Sequence, residues 1–235
     1  MATAVAATPC AANAQMIWAT GKFKAPAGKH WTFAADAEYR THRHLKSTER
    51  WAFGASAEYR YRQFKADAGY MFIDQHKLAS EAGNGDITSS YWRKRHRAYL
   101  SVTATVTAGQ FSLSVRERYQ FTHRVGQSVD RFGADGVTPA APRWIGSQDK
   151  HVLRSRLKGE YTISGGCRFS PYVAVEFNDN LTGAFDLEKI RFTAGTTYEI
   201  DRHNELEVFY RYNHTDDPGS DERGHVIGIG YTFGL

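Results

Sequence analysis

Cysteine is nearly absent from this chain. Only Cys10 and Cys167 occur in 235 residues, so no disulfide framework holds it together. Proline is scarce at six, and no apolar run approaches the ~20 residues that a membrane-spanning helix requires, which excludes a helical membrane protein. An excess of one charge is missing too. Lys plus Arg total 30 against 25 for Asp plus Glu, a formal net charge of +5, too small a bias for a nucleic-acid-coating segment, and no nucleic-acid partner is expected. There is no His-Glu-x-x-His, no Gly-x-Ser-x-Gly and no phosphate-binding glycine loop. No catalytic set, metal or cofactor is therefore expected. What the sequence does hold is aromatic: 14 Phe, 13 Tyr and 5 Trp beside 21 Gly, a composition suited to strands.

Residues 1–14 are rich in alanine and end in Ala12-Asn13-Ala14. This small-x-small pattern reads as the remnant of a signal peptide cut before Gln15, and so as export; a short Ala-rich tail is the alternative.

From Trp31 onward the chain alternates with period two, the mark of strands with one apolar and one polar face. Trp31, Phe33, Ala35, Ala37 and Tyr39 oppose Thr32, Asp36, Glu38 and Arg40. Trp51, Phe53, Ala55, Ala57 and Tyr59 oppose Arg50, Ser56, Glu58 and Arg60. The same alternation recurs to Phe233, giving ten strands, with Glu117 the one charged misfit on an apolar face. Several runs reach ten residues or more, the length that crosses a bilayer when tilted. Very short turns near Gln63, Gly109, Gly165 and Arg202 alternate with longer polar segments at 41–49, 74–92, 123–149, 179–188 and 214–224. The fold class expected is therefore all-β, a transmembrane antiparallel up-and-down β-barrel with short periplasmic turns and longer extracellular loops. Residues 31–235 would form it. Residues 15–30 form either an N-terminal arm or a first strand. Because bacterial single-chain barrels have even strand numbers, the expectation is ten strands, or twelve if the Ile17–Lys24 segment pairs and a further strand hides in 123–149.

The terminal Gly228-Ile229-Gly230-Tyr231-Thr232-Phe233 resembles the closing strand of outer-membrane barrels. More broadly, Glu38-Tyr39-Arg40, the run Ala57 to Arg62 followed by Gly69-Tyr70, Arg116-Glu117-Arg118, Leu153 to Leu157 and Tyr172 to Phe177 resemble the outer-membrane family known as domain of unknown function 2490. The resemblance implies a barrel in the outer membrane of a Gram-negative bacterium, with outer-membrane lipid around it. It implies no activity.

Arg-x-Arg recurs along the chain, and a spacing of two puts both guanidinium groups on one strand face. By the parity above, that face is the interior. Arg60, Arg62, Arg97, Arg116, Arg118, Arg154 and Arg156, with Glu58, Glu160 and Glu176 among the inward acids, are the candidate lumen residues. Fifteen inward cations against nine inward carboxylates would leave the lumen basic. Two readings stay open: a salt-bridged filling, as in many small barrels, or a cationic lumen that passes or binds small anionic solutes. Two further alternatives are an accessory barrel presenting 74–92 and 123–149 to a protein partner, and a lipid-modifying enzyme whose one outward serine is Ser155. Histidines gather at the loop end, with His42-Arg43-His44 the tightest group; polar loop composition accounts for them without a metal. Trp31, Trp51, Tyr61, Trp92, Tyr119, Tyr198, Tyr212 and Tyr231 read as interface anchors.

Overall fold

A strand with one greasy and one polar face has to hide its backbone polar groups and present the greasy face to lipid, and a sheet closed on itself does both. A computed structural model describes residues 16–42, 45, 47–83, 85–183, 185–215 and 223–235. The expected signal-peptide remnant at 1–14 lies outside the described residues, as do Arg43 and His44. Fifteen strands follow in order. Eleven form the barrel wall: β1 (Met16–Ala27), β2 (Trp31–Thr41), β3 (Thr48–Tyr61), β4 (Phe64–Lys77), β7 (Tyr91–Ala108), β8 (Phe111–Arg124), β11 (Gln148–Tyr161), β12 (Phe169–Asn180), β13 (Asp186–Glu199), β14 (Asn204–Thr215) and β15 (Gly224–Gly234). Each pairs antiparallel with its neighbour along the chain. A 14-residue strand rising about 3.3 Å per residue and tilted by about 40° spans roughly 35 Å, enough for the hydrocarbon core of a bilayer.

The wall has eleven strands, and neither even count holds. The Ile17–Lys24 segment is a full strand, and it finds its second neighbour in β15, in parallel register from Met16↔Val226 to Lys24↔Gly234. With an odd number of up-and-down strands the first and last run the same way, so the seam must be parallel. Residues 16–27 are thus a first strand of the wall and not an arm. The 123–149 segment hides no wall strand; it contributes β9 (Gln127–Phe132) and β10 (Pro139–Ile145), which join β5 (Ser80–Glu81) and β6 (Ile87–Thr88) in a separate four-stranded sheet. That sheet stands at the loop end. Arg93 ties it down, donating from Nη2 to the carbonyl of Gly146 at 2.8 Å and from Nε to that of Val125 at 3.3 Å. Asp135 closes the β9–β10 turn, and hydrogen bonds from the Thr138 hydroxyl and from the Val137 and Thr138 amides hold its carboxyl down at about 2 against an ordinary 3.8.

Outward positions carry the apolar load: Phe33, Phe53, Leu100, Leu113, Val173 and Phe192 all stay exposed on the barrel's outside. Aromatic pairs bracket this band. Trp31 packs on Tyr59, Phe111 on Tyr161 and Phe169 on Tyr198 at the turn end, with ring centroids 5.0, 4.8 and 4.6 Å apart. Tyr39 packs on Trp51 at 4.4 Å at the loop end. Amphipathic rings at both rims are what a membrane-spanning barrel presents to its two interfaces.

The small apolar core lies inside the barrel, beneath the parallel seam: Met16, Trp18, Tyr172, Phe209 and Val226. Phe209 points inward because the neighbouring strands leave it room. A Cβ on Gly228 would fall 2.0 Å from Phe209 Cζ, and one on Gly195 would fall 2.7 Å from Phe209 Cβ. Gly69 likewise lies against the Tyr99 ring, 2.5 Å from where its Cβ would sit. These inward glycines are seats for aromatic rings.

Candidate functional site

Inward-facing positions of β1, β2, β3, β4, β7, β8, β11, β13 and β14 bring arginine and lysine into one lumen, which contains three cavities that share walls. A vestibule of ≈ 640 Å³ opens at the turn end, one of ≈ 330 Å³ at the loop end, and a central cavity of ≈ 300 Å³ lies between them. Arg116, Arg118, Arg156 and Lys158 line both the turn-end vestibule and the central cavity; Arg97, Arg154, Arg191 and Arg211 line both the central cavity and the loop-end vestibule. Nine lysines and arginines face three carboxylates in the turn-end vestibule.

Much of this charge is compensated, in clusters that each gather on one carboxylate. Glu176 is the hub of the largest: it accepts from Arg116 and Arg154 at 2.7 Å and from Arg191 at 3.0 Å. Glu38 accepts from Arg40 at 2.7 Å and Arg50 at 2.8 Å. Asp67 accepts from Ser101 at 2.6 Å and Arg118 at 3.1 Å. Toward the turn end Glu58 meets Arg60 at 3.1 Å and Lys65 at 3.2 Å, and Glu160 meets Lys158 at 2.5 Å. The salt-bridged filling expected from the sequence is thus present in part.

Three of the guanidinium groups meet no carboxylate. Among the described residues Arg97, Arg156 and Arg211 make no salt bridge. Arg97 has one long hydrogen bond, 3.4 Å to Thr122 Oγ1, and Arg211 bonds to Thr193 Oγ1 at 2.9 Å. Arg211 is instead held by rings: its guanidinium sits 4.9 Å from the Trp18 ring and 4.8 Å from the Phe209 ring, while Arg40 covers Trp18 at 3.4 Å. Cation–π contacts can hold an arginine without neutralising it. All three unpaired guanidinium groups face the central cavity.

The ten expected lumen residues therefore divide. Arg116, Arg154 and Glu176 come together in one cluster, Arg118 joins another, and Arg97 and Arg156 stand unpaired. Arg60, Glu58 and Glu160 lie toward the turn end. Arg62 departs from the expected strand ladder: it is a turn residue with φ of 52°, its guanidinium 5.3 Å from the Tyr61 ring, and it lines only the wide vestibule. The strand ends at Tyr61, so the Arg60/Arg62 spacing does not make a same-face pair.

Arg191, Arg211, Glu38, Trp18 and Phe209 also belong to the site and lie outside that selection. Phe209 carried a sequence signal, since it is an aromatic at an inward position with inward glycines on both neighbouring strands. Trp18 had none beyond its strand. On the lipid side, Ser155 Oγ donates to Glu117 Oε2 at 2.7 Å, which accounts for the charged misfit. Glu117 is the side-chain partner of that serine, and among the described residues no histidine bonds to it.

The family model described as "Protein of unknown function (DUF2490)" matches residues 15–223. No curated protein matches the chain. Among solved structures, the β domain of the Bordetella autotransporter BrkA superposes with a TM-score of 0.56 at 14% identity, covering 88% of this chain and 82% of that one. A porin superposes with a TM-score of 0.36 at 15% identity, over 83% of this chain and 56% of that one. At 14% identity the likeness to the autotransporter domain is one of fold.

Proposed function

Since the chain belongs to the family of unknown function DUF2490, which brings no activity with it, we propose a function from the lumen itself: an outer-membrane barrel of Gram-negative bacteria whose basic interior binds small anions and lets them pass. The turn end then faces the periplasm and the loop end the outside, the arrangement usual for such barrels. The observation that carries the reading is the set of three guanidinium groups, Arg97, Arg156 and Arg211, that face the central cavity without a carboxylate partner. Stranded cations inside a barrel are costly unless an anion or water answers them. A lumen built only to be filled would pair them, as Glu176 pairs its three neighbours.

Reversal potential across a planar bilayer under a KCl gradient tests the reading. Wild-type barrel favours chloride, and a combined Arg97→Glu, Arg156→Glu variant moves the preference toward potassium. A folded, inserted wild-type barrel that carries no current and binds no anion would overturn it.

The loop-end sheet supports a second reading, a barrel that offers its loops to a protein partner. Trp144 and Val137 there are 69% and 76% exposed, on elements the wall does not need. Deleting residues 127–145 would abolish co-purification of such a partner while leaving the barrel inserted.

A further inference from the structure

The turn-end vestibule is built differently from the rest of the lumen. Its β7–β8 wall carries a grid of hydroxyls: Thr103, Thr105 and Thr107 on one strand, Ser112 and Ser114 on the next, with Thr105 opposite Ser114 and Thr107 opposite Ser112. Thr107 and Ser112 bond to each other at 3.0 Å. The hydroxyls of Thr103, Thr105 and Ser114 bond to no described residue, and that of Thr103 is buried. Such side chains repeat about every 6.8 Å along a strand and about 4.8 Å across, so several hydroxyls of one polyol can be met at once.

Cations border the grid. Thr103 lies in register with Lys65 on one side and Arg116 on the other, and Arg116 in turn with Arg156. Across the lumen β1 stands opposite β8 in an eleven-strand ring, and it contributes Lys22 and Lys24, neither of which makes a salt bridge among the described residues. Apolar lining is confined to Ala34, Phe64 and the Tyr99 ring. A small inorganic anion could accept from only one or two hydroxyls of the grid at a time, and an aromatic acid would find almost nothing to stack on.

We propose that the turn-end vestibule selects hydroxylated organic anions, of the sugar-acid class. The carboxylate is held by Arg156, which borders the grid beyond Arg116, and the polyol is hydrogen-bonded along Thr103, Thr105 and Ser114. This rests on the anion-binding reading above and narrows it to a substrate class.

Calorimetry on the detergent-solubilised full chain tests it with four probes: galacturonate, galactose, acetate and inorganic phosphate. Galacturonate is expected to bind about tenfold more tightly than acetate, the return from one or two added hydrogen bonds, and galactose not to bind measurably. Thr103→Val with Thr105→Val and Ser114→Ala should bring galacturonate down to the level of acetate and leave acetate unchanged. Arg156→Gln should weaken both acids. If the triple variant does not insert, Thr105→Val alone carries the test, with a smaller loss confined to galacturonate. Equal affinity for acetate and galacturonate, or hydroxyl-deleted variants that bind galacturonate as before, overturns the sugar-acid proposal and leaves anion binding standing. Absence of binding by all three anions overturns both.

Discussion

Replacing Glu176 with Gln keeps the volume and one acceptor oxygen but removes the charge on which three arginines converge. Its side chain is 8% exposed, and those of Arg116, Arg154 and Arg191 are 12%, 18% and 11% exposed. Removing one partner of a buried ion pair costs about 3–5 kcal/mol, because the remaining charge is stranded. The glutamine still accepts a hydrogen bond, and the lumen admits some water, so the lower end, about 3 kcal/mol, applies. For a chain of this size each kcal/mol moves Tm by about 2–4 °C, which gives a fall of about 6–12 °C. Heat-dependent gel mobility of the folded barrel reads the transition. The same substitution makes the lumen one charge more cationic, so the reversal potential should move further toward chloride. A variant that melts within about 2 °C of wild type would refute the hub, and an unchanged reversal potential would show that Glu176 lies away from the ion path.

Gly228→Ala should cost about 3 kcal/mol, because its Cβ would land 2.0 Å from Phe209 Cζ; adding Phe209→Ala should recover part of the loss in the same melting assay, and no recovery would mean the ring is not what the glycine accommodates. Glu117→Leu, which removes a carboxyl from the lipid face, should stabilise the barrel by about 1–2 kcal/mol, whereas a lower melting point would show that the Ser155 contact outweighs the desolvation. Asp135 is held below its ordinary pKa of 3.8 at about 2, so its contribution to the β9–β10 turn is full above about 3.8 and is lost as pH falls toward about 2. Hydrogen-exchange protection of the Val137 and Thr138 amides should therefore stay level from neutral pH down to that point and then drop; in Asp135→Asn it should be lower throughout and independent of this titration.

Period two made the wall legible. Side-chain direction alternates along a strand wherever the register is unbroken, as it is except near the shifts at Arg40/Thr41 and Asn178/Asp179, so an apolar residue at an even step from Trp31 or Trp51 announces lipid and an Arg or Glu between them announces lumen, with Glu117 the exception. The same parity put Arg97, Arg116, Arg118, Arg154, Arg156 and Glu176 inside, where they are. Arg62 shows where it stops, because parity holds only while the strand lasts and the chain turns at Arg62. The count of eleven falls between the expected ten and twelve, and its oddness was not legible for a related reason: evenness is a habit of up-and-down barrels whose termini share one side of the membrane, and nothing in the Ile17–Lys24 alternation says which strand will be its second neighbour.

The sequence by itself determined the fold class, the faces of the strands, the two kinds of connection and the basic lumen, because each follows from local alternation and composition. Only the tertiary structure decided the parallel β1–β15 seam, the sharing of Glu176 among arginines from three strands, the Trp18 and Phe209 clamp on Arg211, and which cations go without a carboxylate. Those depend on the stagger that closure imposes between strands far apart in the chain. Parity says that a charge points inward; only the closed ring says what it meets there.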